Sequence, residues 1–268
     1  DQVIDECFQC KLCYVNCPYI PGQSEWELDF PRLMLRADAM RHTNDQVSLR
    51  DKVTTNVMGR TDFIGKVATT TAPLMNKMMG AKPGSLVRKA IEVTSGVSSE
   101  RVLPPFAKQR FTTWFNRRPK LKLGKRQGRV ALFPTCLVEY QAPEVGHDLI
   151  KVYERNGIEC SLADTTQCCG APFLHSGDIE SFTKIAEKNV KALANTVRKG
   201  NDIVVPQPTC GYVLKKDYLD YVGGPDAELV AFGDSKLDQI IIERSSQQRF
   251  EAAAHQQIRF QAIAYRLD

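Results

Sequence analysis

Apolar positions follow three different rhythms along the chain. From Leu33 to about Gly96 they return at three- and four-residue steps, through Leu49, Val53, Val57, Phe63, Ile64, Val67, Leu74, Met75, Met78 and Met79. That spacing predicts helices. All six methionines lie in this stretch, between Met34 and Met79. Methionine at helical spacing reads as flexible core filler, with a partner- or lipid-facing surface as the other reading. From residue 129 short apolar runs alternate with longer amphipathic ones. Arg129-Val130-Ala131-Leu132-Phe133 predicts a buried strand, and Pro143 suits the first turn of a helix running to Asn156 and stopping at Gly157. Ile158 to Leu162 reads as the next strand. Asp178 caps a long helix whose Ile179, Phe182, Ile185, Ala186, Val190, Leu193 and Val197 share one face, ending at Gly200. Ile203-Val204-Val205 reads as a third strand, followed by a helix from Tyr212 to Tyr221. Strands alternating with helices imply a parallel sheet. Past Gly233 a Gln-rich tail carries Ile240, Ile241, Ile242, Phe250, Ala254, Ile258, Ala262 and Tyr265 near helical steps, predicting one or two further helices.

With 43% hydrophobic and 25% charged residues in 268, the composition excludes disordered, collagenous and coiled-coil classes. No apolar run reaches the length of a membrane span, and Asp1-Gln2-Val3 opens no basic and apolar leader, so a cytoplasmic setting is expected. A first residue other than Met leads to the expectation of a fragment of a longer chain. Charge is uneven. Residues 101–130 hold ten Lys or Arg and no Asp or Glu, more than the net +5 of the whole chain, so the remainder is net acidic. Pro104, Pro105, Pro119, Gly124 and Gly128 mark the same stretch as a connector. It reads either as a solvated linker or as a docking surface for an acidic partner or anionic headgroups. Trp114, Phe115, Leu121 and Leu123 are interleaved with Arg117, Arg118, Lys120, Lys122, Lys125 and Arg126 and could insert into a headgroup layer. Nucleic acid is not expected, because no binding fold accompanies the charge.

Nine cysteines carry the chemistry. A large chain with no export signal points to reduced, metal-binding thiols rather than a disulfide scaffold. Cys7-x2-Cys10-x2-Cys13-x3-Cys17-Pro18 has the bacterial ferredoxin spacing for a 4Fe–4S cluster. Zinc knuckles pair their cysteines across longer loops and fit less well. Cys17 either closes this cluster or ligates a neighbouring one. In the second half Cys136 follows the first predicted strand, Cys168-Cys169 lies in the loop after the second, and Cys210 follows the third. The carboxyl ends of parallel strands open on one crevice, so three distant segments would bring four thiols to one spot. Cys160 lies within a strand and reads as a small buried residue. His42, His147, His175 and His255 are scattered and read as structural or surface groups, His175 standing close after the cysteine pair. No acid–base pair, phosphate-binding glycine loop or Ser/His/Asp arrangement is present, so no catalytic residue is expected.

The stretches Glu6-Cys7-Phe8-Gln9-Cys10-Lys11-Leu12-Cys13-Tyr14-Val15-Asn16-Cys17-Pro18, Phe133-Pro134-Thr135-Cys136, Gln167-Cys168-Cys169-Gly170-Ala171-Pro172 and Pro208-Thr209-Cys210-Gly211 together resemble iron–sulfur subunits that carry the cysteine-rich CCG domain. These include the C subunit of anaerobic glycerol-3-phosphate dehydrogenase, the glycolate oxidase iron–sulfur subunit and heterodisulfide reductase subunits. The resemblance covers roughly residues 1–231. With the patterns above it implies an α+β then α/β architecture: a ferredoxin-type motif over 1–31, a helical segment over 32–100, a basic linker over 101–128 and a CCG domain over 129–232; the helical tail over 233–268, where the resemblance stops, rests on periodicity alone. It further implies one or two 4Fe–4S clusters at Cys7, Cys10, Cys13 and Cys17, and a second iron–sulfur centre at Cys136, Cys168, Cys169 and Cys210. The expected function is electron transfer within a multi-subunit oxidoreductase, between a flavoprotein dehydrogenase subunit and a quinone or other acceptor. The basic linker would add peripheral association with the inner face of the cell membrane. Two alternatives stay open: a heterodisulfide reductase-like catalytic subunit and a zinc-stabilised interaction module. The family often has two ferredoxin motifs, two CCG repeats and a further cysteine three residues after the position of Cys210. This chain shows one ferredoxin motif and one CCG repeat, with Val213 at that last place.

Overall fold

A computed structural model describes residues 2–119, 127–164 and 168–232. The tail 233–268 and the connector residues Lys120 to Arg126 lie outside them, so the expectations placed there concern residues not described.

Two four-residue helices, α1 (Gln2–Asp5) and α2 (Leu12–Val15), flank the first cysteines, and the described part of residues 2–29 contains no strand. Five helices follow: α3 (Phe30–Thr43), α4 (Leu49–Gly59), α5 (Thr61–Thr70), α6 (Ala72–Met79) and α7 (Leu86–Ser95). Asp29, Ser48 and Ser85 accept from the backbone N–H three residues on and start α3, α4 and α7. Gly96, left-handed at φ 72°, ends α7.

The second half is a three-stranded parallel sheet, β1 (Gly128–Leu132), β2 (Ile158–Leu162) and β3 (Asp202–Val204), in spatial order β2–β1–β3. Val130 pairs with Cys160 and Asp202, and Leu132 with Leu162 and Val204. The central strand reads as an unbroken apolar run because both its faces are covered. Ala131 and Phe133 join a cluster with Phe182, Leu193 and Tyr218 on one side. Leu132 packs with Phe111, Phe115, Val138 and Ile150 on the other. The first side is built by α12 (Ile179–Arg198) and α15 (Gly224–Phe232), the second by α8 (Phe111–Arg117), α9 (Cys136–Tyr140) and α10 (Pro143–Arg155). Asp178 caps α12 by accepting from the Ser181 N–H, and Pro143 opens α10, as the pattern predicts. The helix expected from Tyr212 starts earlier. It runs as α13 (Pro208–Tyr212), a π-turn (Val213–Asp217) and α14 (Tyr218–Tyr221). The remaining short helix, α11 (Ala171–His175), follows the cysteine pair.

Two expectations are revised by the packing. The stretch before the sheet is not an extended solvated linker throughout, because Phe111–Arg117 is helical and buries Phe111 and Phe115. Trp114 stacks on His147 at 3.9 Å between ring centroids, and Arg118 is buried against Glu154 at 2.8 Å. In this stretch Phe115 and Arg118 are therefore committed to the core rather than to a headgroup layer. The helical segment, meanwhile, turns its large apolar side chains outward. Of its methionines only Met34 is buried, while Leu49, Phe63 and Leu86 are 79, 72 and 85% exposed. The inward face of α5 is made of Gly65, Ala68 and Thr69. Small residues allow close approach: a Cβ on Gly65 would stand 2.5 Å from the Tyr140 ring, and one on Gly59 2.2 Å from the Phe173 ring.

Candidate metal centre

Each strand of the sheet delivers cysteine just beyond its carboxyl end. Cys136 is the first residue of α9, where the Thr135 hydroxyl accepts from the Val138 N–H. Cys168 and Cys169 precede Gly170, which is left-handed at φ 88° and turns the chain into α11. Cys210 lies within α13. Cys168, Cys169 and Cys210 are buried and Cys136 is half-buried, all as free thiols. Cys169 Sγ lies 3.3 Å from Cys210 Sγ. Cys136 and Cys169 both lie in hydrogen-bonding contact with Cys168. These contacts lower the pKa of the Cys168 thiol, against the opposing effect of burial. Contact with Cys168 pushes Cys136 well up, and contacts with Cys168 and Cys210 do the same for Cys169, with burial adding to both.

Four side chains fix the loop around them. Asn189 donates to the Cys168 carbonyl and to the Tyr218 hydroxyl, both at 2.9 Å, and Tyr218 donates to the Cys169 carbonyl at 2.9 Å. From outside the sheet region, the Asp62 carboxylate accepts from the Cys168 N–H at 2.9 Å. Tyr140 donates to the same residue, at 3.2 Å to its carbonyl and 3.3 Å to its carboxylate. None of these four was singled out by pattern. Asn189 carried a readable signal, a lone amide inside the apolar stripe of α12.

The first cysteine set is arranged differently. Cys7 and Cys17 are half-buried and Cys10 and Cys13 exposed, all free, and no hydrogen bond joins one of these thiols to another among the described residues. The loop between them winds through left-handed Gln9 and Lys11, at φ 52° and 62°. Buried Gln9 donates to Cys7 Sγ at 3.5 Å and to the Pro31 carbonyl at 3.3 Å, and accepts from Lys11 at 3.3 Å. Lys11 also sits 4.7 Å above the Tyr212 ring, two residues past Cys210. An ion pair from Arg32 to Asp220 clamps the same seam. The two cysteine sets therefore occupy adjoining elements.

Among the described residues no three His, Cys, Asp or Glu side chains are spaced around a point a single metal ion would take. Cys169 and Cys210, at 3.3 Å, stand closer than the roughly 3.8 Å between sulfurs of a tetrahedral zinc–thiolate site. They would have to part to admit any metal. The donor chemistry nevertheless fits a thiolate-bound metal group: four converging thiols, none oxidised. Thr61 adds an orphan, since its buried hydroxyl makes no full hydrogen bond yet lies close enough to Cys168 Sγ to favour the thiolate.

Comparison with known proteins locates this arrangement. The CCG cysteine-rich domain family matches residues 130–215. The chain carries a CCG domain. Over 254 residues it is 29% identical to the C subunit of the anaerobic glycerol-3-phosphate dehydrogenase of Escherichia coli, an alignment covering 81% of this chain and 63% of that protein. The B subunit of the CoM/CoB fumarate reductase of Methanothermobacter marburgensis is 35% identical over 120 residues, covering 44% of this chain and 23% of its own. An uncharacterised iron–sulfur protein of Methanococcus maripaludis is 30% identical over 92 residues, 34% of this chain and 18% of that one. The chain thus spans less than two thirds of the length of these relatives. No solved structure matches it. The homology reaches beyond the CCG domain, and the relatives are by name oxidoreductase subunits and an iron–sulfur protein.

Proposed function

We propose that the chain is an iron–sulfur electron-transfer subunit of a multi-subunit oxidoreductase. The observation that carries this reading is the meeting of Cys136, Cys168, Cys169 and Cys210 as free thiols at the carboxyl edge of the sheet. These four hold one iron–sulfur centre. Cys7, Cys10 and Cys13 hold a 4Fe–4S cluster in a ferredoxin-type domain, with Cys17 closing it or a neighbouring one. When bound, such clusters take up and release single electrons. The chain's own residues orient the thiolates, bury the CCG centre and bring the N-terminal loop onto the CCG helices through Lys11 and Tyr212. Names of the relatives support a dehydrogenase or reductase partner; the proposal takes a flavoprotein subunit as donor and a quinone or other carrier as acceptor.

No helix among the described residues is long and apolar enough to cross a membrane. Peripheral attachment to the inner face of the cell membrane, from the cytoplasm, is part of the proposal. Its support is the basic connector together with the exposed apolar side chains of α4 to α7. Disulfide-cleaving catalysis is not part of it, since buried Val213 stands where a further thiol would be needed.

Replacing one thiol in each set tests the assignment. In anaerobically purified, dithionite-reduced protein, Cys168→Ser should abolish or alter one EPR signal and leave another intact, and Cys10→Ser should do the reverse. A Cys168→Ser protein with every signal unchanged would remove the CCG thiols from the account.

A further inference from the structure

We propose that Asp62, on a helix outside the CCG domain, is a positioning residue for the CCG centre: its carboxylate orients the Cys168 peptide and sets the ease with which the centre takes an electron. The inference rests on the iron–sulfur reading of the four thiols. Asp62 stands in the first turn of α5, where the small residues Gly59 and Gly65 let α4 and α5 press against Phe173 and the Tyr140 ring. This close approach puts one carboxylate oxygen on the Cys168 N–H and the other on the Tyr140 hydroxyl. The peptide whose N–H is held is the one from which the Cys168 side chain springs, so the hydrogen bond restrains where Sγ points. Thr61, the residue before, adds a buried hydroxyl with no hydrogen-bond partner. The Asp62 carboxylate is thus a negative charge held against the peptide of a proposed ligand, and a charge so placed opposes electron uptake by the centre. Outer contacts of this kind orient metal ligands and tune the metal's potential. A purely structural carboxylate would hold the helix to the domain without influencing that potential.

The test uses the full chain, prepared anaerobically, with redox titration followed by EPR. Asp62→Asn keeps the shape and an acceptor for the Cys168 N–H but removes the charge. It should move the midpoint of the CCG centre to a more positive value and leave that of the N-terminal cluster where it is. Asp62→Ala should move it the same way, change the line shape of that signal and release iron from that centre faster. An Asp62→Asn protein whose CCG midpoint equals that of the unaltered protein would overturn the proposal. If the unaltered protein shows no CCG signal at all, the iron–sulfur reading itself fails. The positioning role is then read by alkylation of Cys168 in the metal-free chain, mapped by peptide mass spectrometry. Asp62→Ala should speed that alkylation several-fold, and an unchanged rate would refute the positioning role.

Discussion

Asp217 is buried at the end of the π-turn, and one of its carboxylate oxygens has no hydrogen-bond partner. Burial pushes its pKa up to about 6, with Asp220 and Asp29 adding to the shift and Lys11 and Arg32 opposing it. Between the ordinary value of 3.8 and about 6, the folded chain keeps a proton that the unfolded chain has released. Stability from this residue is therefore present below the lower value and is lost as pH rises through the upper one, by on the order of 2–3 kcal/mol. His175 acts in the opposite sense. Burial and then Lys11 hold it down to about 4, so its contribution is present above 6.5 and is lost as pH falls through 4. The two trends offset each other in the unaltered protein, and a single variant separates them. Asp217→Asn should be more stable than the unaltered chain above pH 7, with the advantage fading below pH 4. Urea unfolding across that range measures it, and a stability difference constant with pH would contradict the assignment.

At the scale of elements, the contact between the helical segment and the CCG domain depends on glycine. Gly59→Ala would drive a methyl into the Phe173 ring, and Gly65→Ala would drive one into the ring of Tyr140. Overpacking of this sort costs about 1–3 kcal/mol, offset in part by the roughly 1 kcal/mol that Ala gains over Gly in a helix. Each variant should lower the melting temperature, and Gly65→Ala should also disturb the CCG signal, because it displaces the helix that carries Asp62. An unchanged or raised melting temperature for both would mean that these helices do not dock as described. This contact also shows where reading the chain stops. The central strand was readable because burial on both its faces writes an apolar run, and the start of α12 because Asp178 caps it. Periodicity placed helices between residues 30 and 95 but could not say which face turns inward. Here the inward face holds small residues chosen by rings from elements far along the chain, while the large apolar side chains lie outside. Strand ends likewise announced the four thiols. Asp62 did not announce itself, because its bond to Cys168 spans 106 positions and no local pattern encodes it.

At the scale of the whole molecule, two cysteine groups lie on adjoining elements, the described helices α4 to α7 expose large apolar side chains, and the positive charge is concentrated in residues 101–130. If the connector carries the proposed membrane attachment, the chain should sediment with vesicles containing anionic lipid. Replacing Arg117, Lys120, Lys122 and Lys125 with Ser should weaken that binding, as should raised salt. Equal binding to neutral vesicles, insensitive to both changes, would count against it. The central claim, that thiols from both halves hold iron–sulfur centres, meets its most direct test in the anaerobically purified chain. Iron, zinc and acid-labile sulfide are counted on the same sample whose reduced EPR spectrum is recorded. The account predicts a brown protein with iron and sulfide in comparable amounts and more than one iron–sulfur signal. Zinc bound without sulfide, in a protein silent by EPR, would contradict it.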